Sequence, residues 1–442
     1  MSLADTLKRM ERLYSRKYGL ADEYYSGTGG FNFIGDGTTL QLGNIIPIPT
    51  AMVRRSKIKE LMQGGGVSLN PTKAKVKAFG EFIERYCSGR SNSHRLLVDS
   101  YNHLTIEGKQ CLNFSDILHF QSHLYENPHF PLKQYTTQLP ISWVRGLEIT
   151  NDTETWIPAQ KVYLKFPYAE GEHQHIWGLS TGLACGSTYY QAAFGGICEV
   201  IERDSFMLTW LLNIPGKRIQ VDEIQNPDLQ NLYTHICKHL TGEDTLHMYD
   251  ISKTDGVYTF MAFIRNDLPQ ACGLITAAAT HTNPEIALLK ALEELCQSQV
   301  FAYSNLCKDK KKIQGMAEED ITDLHKHFFY YSTGLHNSNM DFIAKSDESV
   351  CLSQMVDYSK VTDVENVEYL TALFKQHNRP IYLADITKPE IQEHGFCVLK
   401  AIIPGYLDLD NHHGYRQLDN ARLREFQKEY GGEITSTPHP FP

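Results

Sequence analysis

The sequence predicts a mixed α and β (α+β) fold, and three observations carry that prediction. Helical periodicity recurs at 72–88, 187–211 and 284–305. Strand-like runs stand between and after these segments: 157–166 (IPAQKVYLKF), 258–265 (YTFMAFIR), 271–280 (ACGLITAAAT), 379–386 (RPIYLADI) and 396–405 (FCVLKAIIPG). A chain of 442 residues with 42% hydrophobic and 21% charged content is also long and apolar enough to bury a large core.

From the N-terminus, residues 1–19 mix charged and apolar positions without an uninterrupted apolar stretch, which reads as an amphipathic helix and not a signal peptide. The Gly-rich stretches SGTGG and GDGTT, and an apolar run at Ile45, Ile46 and Ile48 punctuated by prolines, read as turn and short strand and complete an N-terminal unit over 1–60. A central unit covers 61–405. Within it Gly64-Gly65-Gly66 reads as a turn, and Lys308–Asp320 (with its KDKKK run) and Asp341–Ser353 read as exposed loops. A last segment, 406–442, ends in Thr437-Pro438-His439-Pro440-Phe441-Pro442.

Composition excludes several classes. With 52 acidic against 42 basic residues the net charge is −10, which is the wrong sign for a protein that grips a phosphate backbone, so nucleic acid is not an expected partner. No stretch approaches the roughly 20 apolar residues of a membrane span, which places the protein in the cytoplasm. The ten cysteines are scattered with no CxxC pair, so neither a zinc site nor a disulfide framework is expected, and most read as small buried hydrophobes.

The three helical segments share one device. In 73–89, Phe79, Phe82, Ile83 and Tyr86 form one stripe, while Glu81 and Glu84 fall on the other side with Arg85. The pattern is Glu-x-x-Glu-Arg. It returns with Glu199, Glu202 and Arg203 opposite Phe194, Ile197, Val200 and Ile201. A third helix sets Glu294 and Gln297 at the same offset, opposite Leu288, Leu289, Leu292 and Leu295. Any one of these is an ordinary amphipathic helix with a solvated face. Three are harder to dismiss, because like charges one turn apart cost helix stability and are not chosen for it. They suit Mg²⁺, which takes carboxylate oxygens and bridges them to phosphates, with arginine forks to pair phosphate oxygens. No GxxxxGK[ST] loop, GxGxxG turn or kinase signature is present, so phosphate must be held through metal.

At these residues the chain resembles the YcaO family, whose marks are helices reading SxxExxER, ExxER and ExxQ with a small-residue loop before the second. Here they stand as Ala78-x-x-Glu81-x-x-Glu84-Arg85, then Ser180–Gly186 leading to Glu199-x-x-Glu202-Arg203, then Glu294-x-x-Gln297. The resemblance implies a YcaO fold with 61–405 as the catalytic domain and the site between helices and sheets. It implies ATP binding by Glu81, Glu84, Glu199, Glu202, Arg203, Glu294 and Gln297, with the five glutamates as Mg²⁺ ligands. Two departures stand out: Ala78 where the family has Ser, and Gly65 where a GKG loop carries Lys; Ser68 and Lys73 are the neighbours that could substitute.

The PxPxP end is similar to that of azoline-forming members, an alternation of prolines that favours a stiff extended rod. It implies cyclodehydration: a Cys, Ser or Thr side chain of a ribosomally made precursor peptide attacks the preceding amide carbonyl. ATP then phosphorylates the former amide oxygen, and phosphate leaves as the thiazoline or oxazoline closes. Pro442 is the candidate catalytic residue through its carboxylate, with His439 a lesser candidate. The resemblance further implies a separate E1-like, leader-binding C protein and a flavin dehydrogenase acting afterwards, since 442 residues leave little room for a recruiting domain; a homodimer stays open. The alternatives are other YcaO backbone chemistry, thioamide or macroamidine formation, and a non-catalytic YcaO-like adaptor.

Overall fold

In the computed structural model, residues 2–17, 19–28, 46–55, 62–89, 96–165, 167–240, 242–268 and 272–441 are described, the side chains of 304–312 excepted. The stretch GDGTT, Ile45 and Pro442 lie outside the described residues. In chain order the first elements are α1 (Leu3–Met10), β1 (Glu23–Thr28), β2 (Pro49–Arg55), β3 (Met62–Val67), α2 (Pro71–Ser88), β4 (Leu97–Ser100) and α3 (Tyr101–Ile106). Then come β5 (Pro140–Glu148), β6 (Thr153–Pro158), α4 (Ala159–Val162), β7 (Leu183–Gly186), α5 (Tyr189–Leu211), β8 (Lys217–Gln220) and α6 (Pro227–His239). They are followed by β9 (Thr245–Asp250), β10 (Tyr258–Arg265), β11 (Leu274–His281), α7 (Pro284–Gln314) and α8 (Leu324–Ser332). The last are β12 (Ser349–Cys351), α9 (Asp363–Gln376), β13 (Tyr382–Asp385), α10 (Pro389–Glu393), β14 (Cys397–Ile402) and α11 (Ala421–Tyr430).

The strands form a three-stranded sheet β1-β2-β3, a five-stranded sheet β11-β10-β9-β8-β12 and a sheet β4-β5-β13-β14-β7 with β6 paired to β5. Pairing is antiparallel throughout apart from β12 on β8. The mixed α and β class expected from the sequence is what the chain adopts.

The three helices of the shared device start where local chemistry starts them. Asn70 caps α2 by accepting from the amides of Thr72 and Lys73, with Pro71 in the first turn. Thr188 caps α5 through the Gln191 amide, and the Asn283 side chain accepts from the Ile286 amide at the start of α7. Helix α2 packs on β3 and β2, α7 on β11 and β10, and α5 lies between two sheets, on β7 and β14 of one and on β10 and β11 of the sheet it shares with α7. Helix α5 is therefore buried nearly all round, including Glu202. The solvated polar face that amphipathic spacing suggests is absent there.

The structure corrects four readings. Gly64-Gly65-Gly66 is not a turn but the middle of β3. A methyl on Gly64 would lie 2.2 Å from the Ala78 carbonyl oxygen and one on Gly66 2.1 Å from that of Ala74, so only bare backbone lets β3 lie this close to α2. The run 157–166 ends as strand at Pro158, which supplies no amide to a ladder, and becomes the short helix α4. Helix α7 continues through the lysine run to Gln314, since cations suit a helix C-terminus and Gly315 follows as a stop. Within Asp341–Ser353, a 3₁₀ helix over Asn337–Ala344 and strand β12 replace loop.

Candidate active site

Helices α2, α5 and α7 bring the predicted glutamates together, and backbone amides fix three of them. Glu81 Oε2 accepts from the Gly65 amide of β3 at 2.8 Å. Glu84 Oε1 accepts from the Cys185 amide of β7 at 2.8 Å. Glu199 Oε2 accepts from the Gly182 amide at 3.2 Å. Gly182 has a φ of +83°. A methyl on Gly196 of α5 would come within 2.6 Å of the Gly182 carbonyl oxygen. The two glycines together let the loop before β7 sit directly on the helix that carries Glu199.

The Glu-x-x-Glu-Arg pattern places each arginine four residues after the first glutamate. Arg85 Nη2 lies 3.4 Å from Glu81 Oε1. Arg203 Nη2 lies 3.5 Å from Glu199 Oε1, with its Nε 3.6 Å from Glu202 Oε1. Arg203 Nη1 is buried and finds no hydrogen-bond partner among the described residues. Gln297 borders the same space, for a methyl on Gly65 would approach its Nε2 to 3.1 Å.

Burial sets the protonation of these acids, and their crowding adds to it. Burial pushes Glu84 up to about 8; Arg85 opposes the rise and the neighbouring Glu199 adds to it. Burial also raises Glu199, Glu202 and Glu294. Arg203 opposes the rise at Glu199 and Glu202, and Lys77, Arg203 and Lys290 oppose it at Glu294. Enclosed carboxylates that are costly as anions, beside an arginine nitrogen with no partner, fit a divalent cation carrying a phosphate chain. Glu81, Glu84, Glu199, Glu202 and Glu294 would hold the metal, and Arg203 a phosphate oxygen.

Several residues that sequence reasoning missed line this region. Lys77 and Lys290 stand one turn before Glu81 and Glu294, a four-residue spacing that was present to be read. Lys77 Nζ lies 2.8 Å and Lys73 Nζ 3.2 Å from the carboxylate of Glu293, whose side chain is 2% exposed. Although burial pushes the Glu293 carboxyl up, Lys77 and Lys73, with a hydrogen bond from Ser68, hold it below its ordinary value. Lys73 and Ser68, the neighbours considered in place of a lysine at Gly65, thus both converge on Glu293. Lys400 of β14 is buried, donates to the Leu179 carbonyl at 2.6 Å, and is pushed down to about 7 by burial. Burial pushes the thiols of Cys87, Cys198 and Cys296 up to about 12.

The C-terminal segment is seated against this region. Four successive carbonyls accept from side chains: Thr437 from Trp210 Nε1 (3.2 Å), Pro438 from the Tyr331 hydroxyl (2.6 Å), His439 from His327 Nδ1 (3.1 Å) and Pro440 from the Thr276 hydroxyl (2.9 Å). His439 is stacked on His327 at 3.9 Å. Its Nε2 donates to the Asp410 carbonyl and its Nδ1 accepts the Phe441 amide, so both ring nitrogens serve the fold as a neutral imidazole. Phe441 is buried, with its ring 4.4 Å from the Arg203 guanidinium carbon. Among the described residues, no helix is long and apolar enough to cross a membrane.

A cluster of helix-borne carboxylates and arginines, with Phe441 of the C-terminal segment packed against Arg203, is the donor set of a candidate metal-nucleotide site outside the common phosphate-loop designs. The chain belongs to the YcaO family: the family model described as YcaO cyclodehydratase, ATP- and Mg²⁺-binding, matches residues 65–407. ATP and Mg²⁺ are accordingly its cofactors. It is similar to an uncharacterized protein of Methanothermobacter thermautotrophicus, at 24% identity over 270 residues that make up 60% of this chain and 65% of that protein. Among solved structures it resembles a heterocyclase in complex with substrate and cofactor, with a TM-score of 0.76 and 18% identity over 100% of this chain. The chain spans only 57% of that heterocyclase's length. It also resembles YcaO from Methanopyrus kandleri bound with AMPPCP and Mg²⁺, with a TM-score of 0.66 and 16% identity, covering 99% of this chain and 96% of that one. These likenesses establish the shared fold.

Proposed function

We propose that this protein is an ATP-dependent cyclodehydratase that converts Cys, Ser or Thr residues of a ribosomally synthesised precursor peptide to thiazolines or oxazolines. The observation that carries the reading is the convergence of five glutamates and two arginines from α2, α5 and α7 on one space, within a chain of the YcaO family. When bound, Mg²⁺ and ATP would supply the phosphoryl group that turns the former amide oxygen into a leaving group.

The chain's own groups would do the rest. Glu81, Glu84, Glu199, Glu202 and Glu294 would hold the metal, with Gln297 beside them. Arg203 would offer Nη1 to a phosphate oxygen, an interaction that strengthens as charge shifts toward the leaving phosphate. The nucleophile's proton needs an acceptor, and a carboxylate on Pro442 is proposed for that role or for placing the peptide. Seating of Phe441 against Arg203 supports this. His439 drops out as a base because both of its nitrogens are committed. The proposal includes a cytoplasmic setting, a separate leader-binding C protein and a flavin dehydrogenase that acts on the product.

Purified protein incubated with ATP, Mg²⁺, the candidate C protein and a precursor peptide should give peptide masses lower by one water per ring. Glu199→Ala and deletion of Pro442 should each abolish those losses. Ring formation that survives both changes would rule the mechanism out. Replacement of oxygen by sulfur without ring closure would instead assign thioamide chemistry to the same site.

A further inference from the structure

Phe441 does more than fill space at the end of the tail. Its ring packs against Phe206 of α5 at 4.6 Å between centroids, and the Arg203 guanidinium carbon lies 4.4 Å from its centroid, within cation–π range. Arg203 is thereby held on two sides. Glu199 and Glu202 take Nη2 and Nε at 3.5 and 3.6 Å, and the Phe441 ring covers the guanidinium. Nη1, the nitrogen that neither carboxylate uses, is buried and has no partner among the described residues.

The backbone that delivers the ring is itself fixed. The carbonyls of Thr437 through Pro440 are each held by a side chain from α5, α8 or β11, and the Phe441 amide donates to His439 Nδ1. A ring on a tail with four anchored carbonyls has little freedom, so the guanidinium beside it has little freedom either. A long side chain in one orientation has already lost the rotamer entropy that binding would otherwise cost.

We propose that Phe441 is a positioning residue for the nucleotide: its ring holds the Arg203 guanidinium so that Nη1 faces a phosphate oxygen of ATP, and seating of the tail is thereby coupled to nucleotide binding. This rests on the reading above that Arg203 takes a phosphate. By linkage the coupling is reciprocal, and bound nucleotide strengthens the seating of the tail. The tail would then serve the nucleotide side of the reaction through Phe441, whatever part Pro442 plays on the peptide side.

A double-mutant cycle on binding of a non-hydrolysable ATP analogue with Mg²⁺, followed by calorimetry in the full-length protein, tests this. Phe441→Leu keeps the apolar volume against Phe206 but removes the π face. It should weaken binding about fivefold, the factor that roughly 1 kcal/mol of cation–π attraction gives. Phe441→Trp should restore the affinity. In an Arg203→Met background Phe441→Leu should have no further effect. Equal losses in both backgrounds, or no loss from Phe441→Leu in the wild type, would overturn the proposal. If Arg203→Met itself leaves the affinity unchanged, the phosphate reading of Arg203 fails and this inference with it. If Arg203→Met weakens binding while Phe441→Leu does not, this inference alone fails.

Discussion

Lys77 Nζ on α2 lies 2.8 Å from Glu293 Oε2 on α7, and Lys73 Nζ reaches the other oxygen of the same carboxylate at 3.2 Å. Two cations on one buried carboxylate leave a positive surplus beside Glu294, and Lys77 is the foremost charge opposing the rise at that glutamate. Gly65, close by, brings no side chain to this region. If ATP is held at these glutamates, Lys77 would supply positive charge to its phosphates.

Lys77→Met should weaken binding of a Mg²⁺–ATP analogue by about tenfold, the effect of roughly 1.4 kcal/mol. Stability should fall by only about 1 kcal/mol, because Lys73 remains on Glu293. The Lys73→Met/Lys77→Met pair strands a buried carboxylate and should cost about 3–5 kcal/mol. Calorimetry and urea unfolding measure the two effects separately. Additive stability losses would show that the lysines do not share Glu293.

Gly64 and Gly66 face α2, whereas Gly65 faces Gln297, as alternation along a strand requires. Gly64→Ala and Gly66→Ala drive a methyl into helix backbone and should each destabilise the protein by about 1–3 kcal/mol or more. A methyl on Gly65 meets the movable amide of Gln297 at 3.1 Å. Gly65→Ala should leave the urea midpoint nearly unchanged and alter nucleotide affinity instead. If all three variants unfold alike, the strand does not alternate as described.

The pH dependence follows from Glu84. Its folded-state value of about 8 lies above the ordinary 4.5, so the folded protein keeps a proton that the unfolded chain releases. The stability this contributes is full below about pH 4.5 and is lost as pH rises through about 8. In metal-free protein the urea midpoint should fall across that window, by at most about 1.4 kcal/mol per pH unit. Glu84→Gln should flatten the fall. Saturating Mg²⁺ with an ATP analogue should reverse it, because a cation at these carboxylates expels the proton. A slope unaffected by Glu84→Gln would place the proton elsewhere.

The legible parts of this protein were the ones written in local chemistry. Helices α2, α5 and α7 declare themselves through period, and their shared Glu offset singled out glutamates that the fold brings near one another. Strand β3 was opaque because three glycines carry no alternation, and its place is decided by how closely α2 approaches. Burial of Glu202 was opaque for a similar reason, since α5 is covered by two sheets that its own sequence does not specify. Lys77 had a visible spacing, yet its direction toward Glu293 depends on how α2 meets α7. The prolines announced a stiff tail, but its anchors Trp210, Thr276, His327 and Tyr331 lie at least 107 residues away in sequence.

Tyr331 is the anchor whose removal tests the tail most cleanly. Its hydroxyl donates to the Pro438 carbonyl at 2.6 Å in a buried setting, and Asn339 Nδ2 donates to the same hydroxyl at 3.1 Å. Tyr331→Phe keeps the ring that packs on Trp210 at 5.8 Å and deletes only the oxygen. It should cost about 1–3 kcal/mol, since the Pro438 carbonyl is left buried without a donor. Three of the four anchored carbonyls remain, so the tail should stay folded on average but open more often. Hydrogen exchange at the Phe441 amide should accelerate relative to amides in α5, and ring formation should slow in proportion to the time the tail spends open. Exchange that accelerates equally in both places would mean that the tail and α5 unfold as one unit.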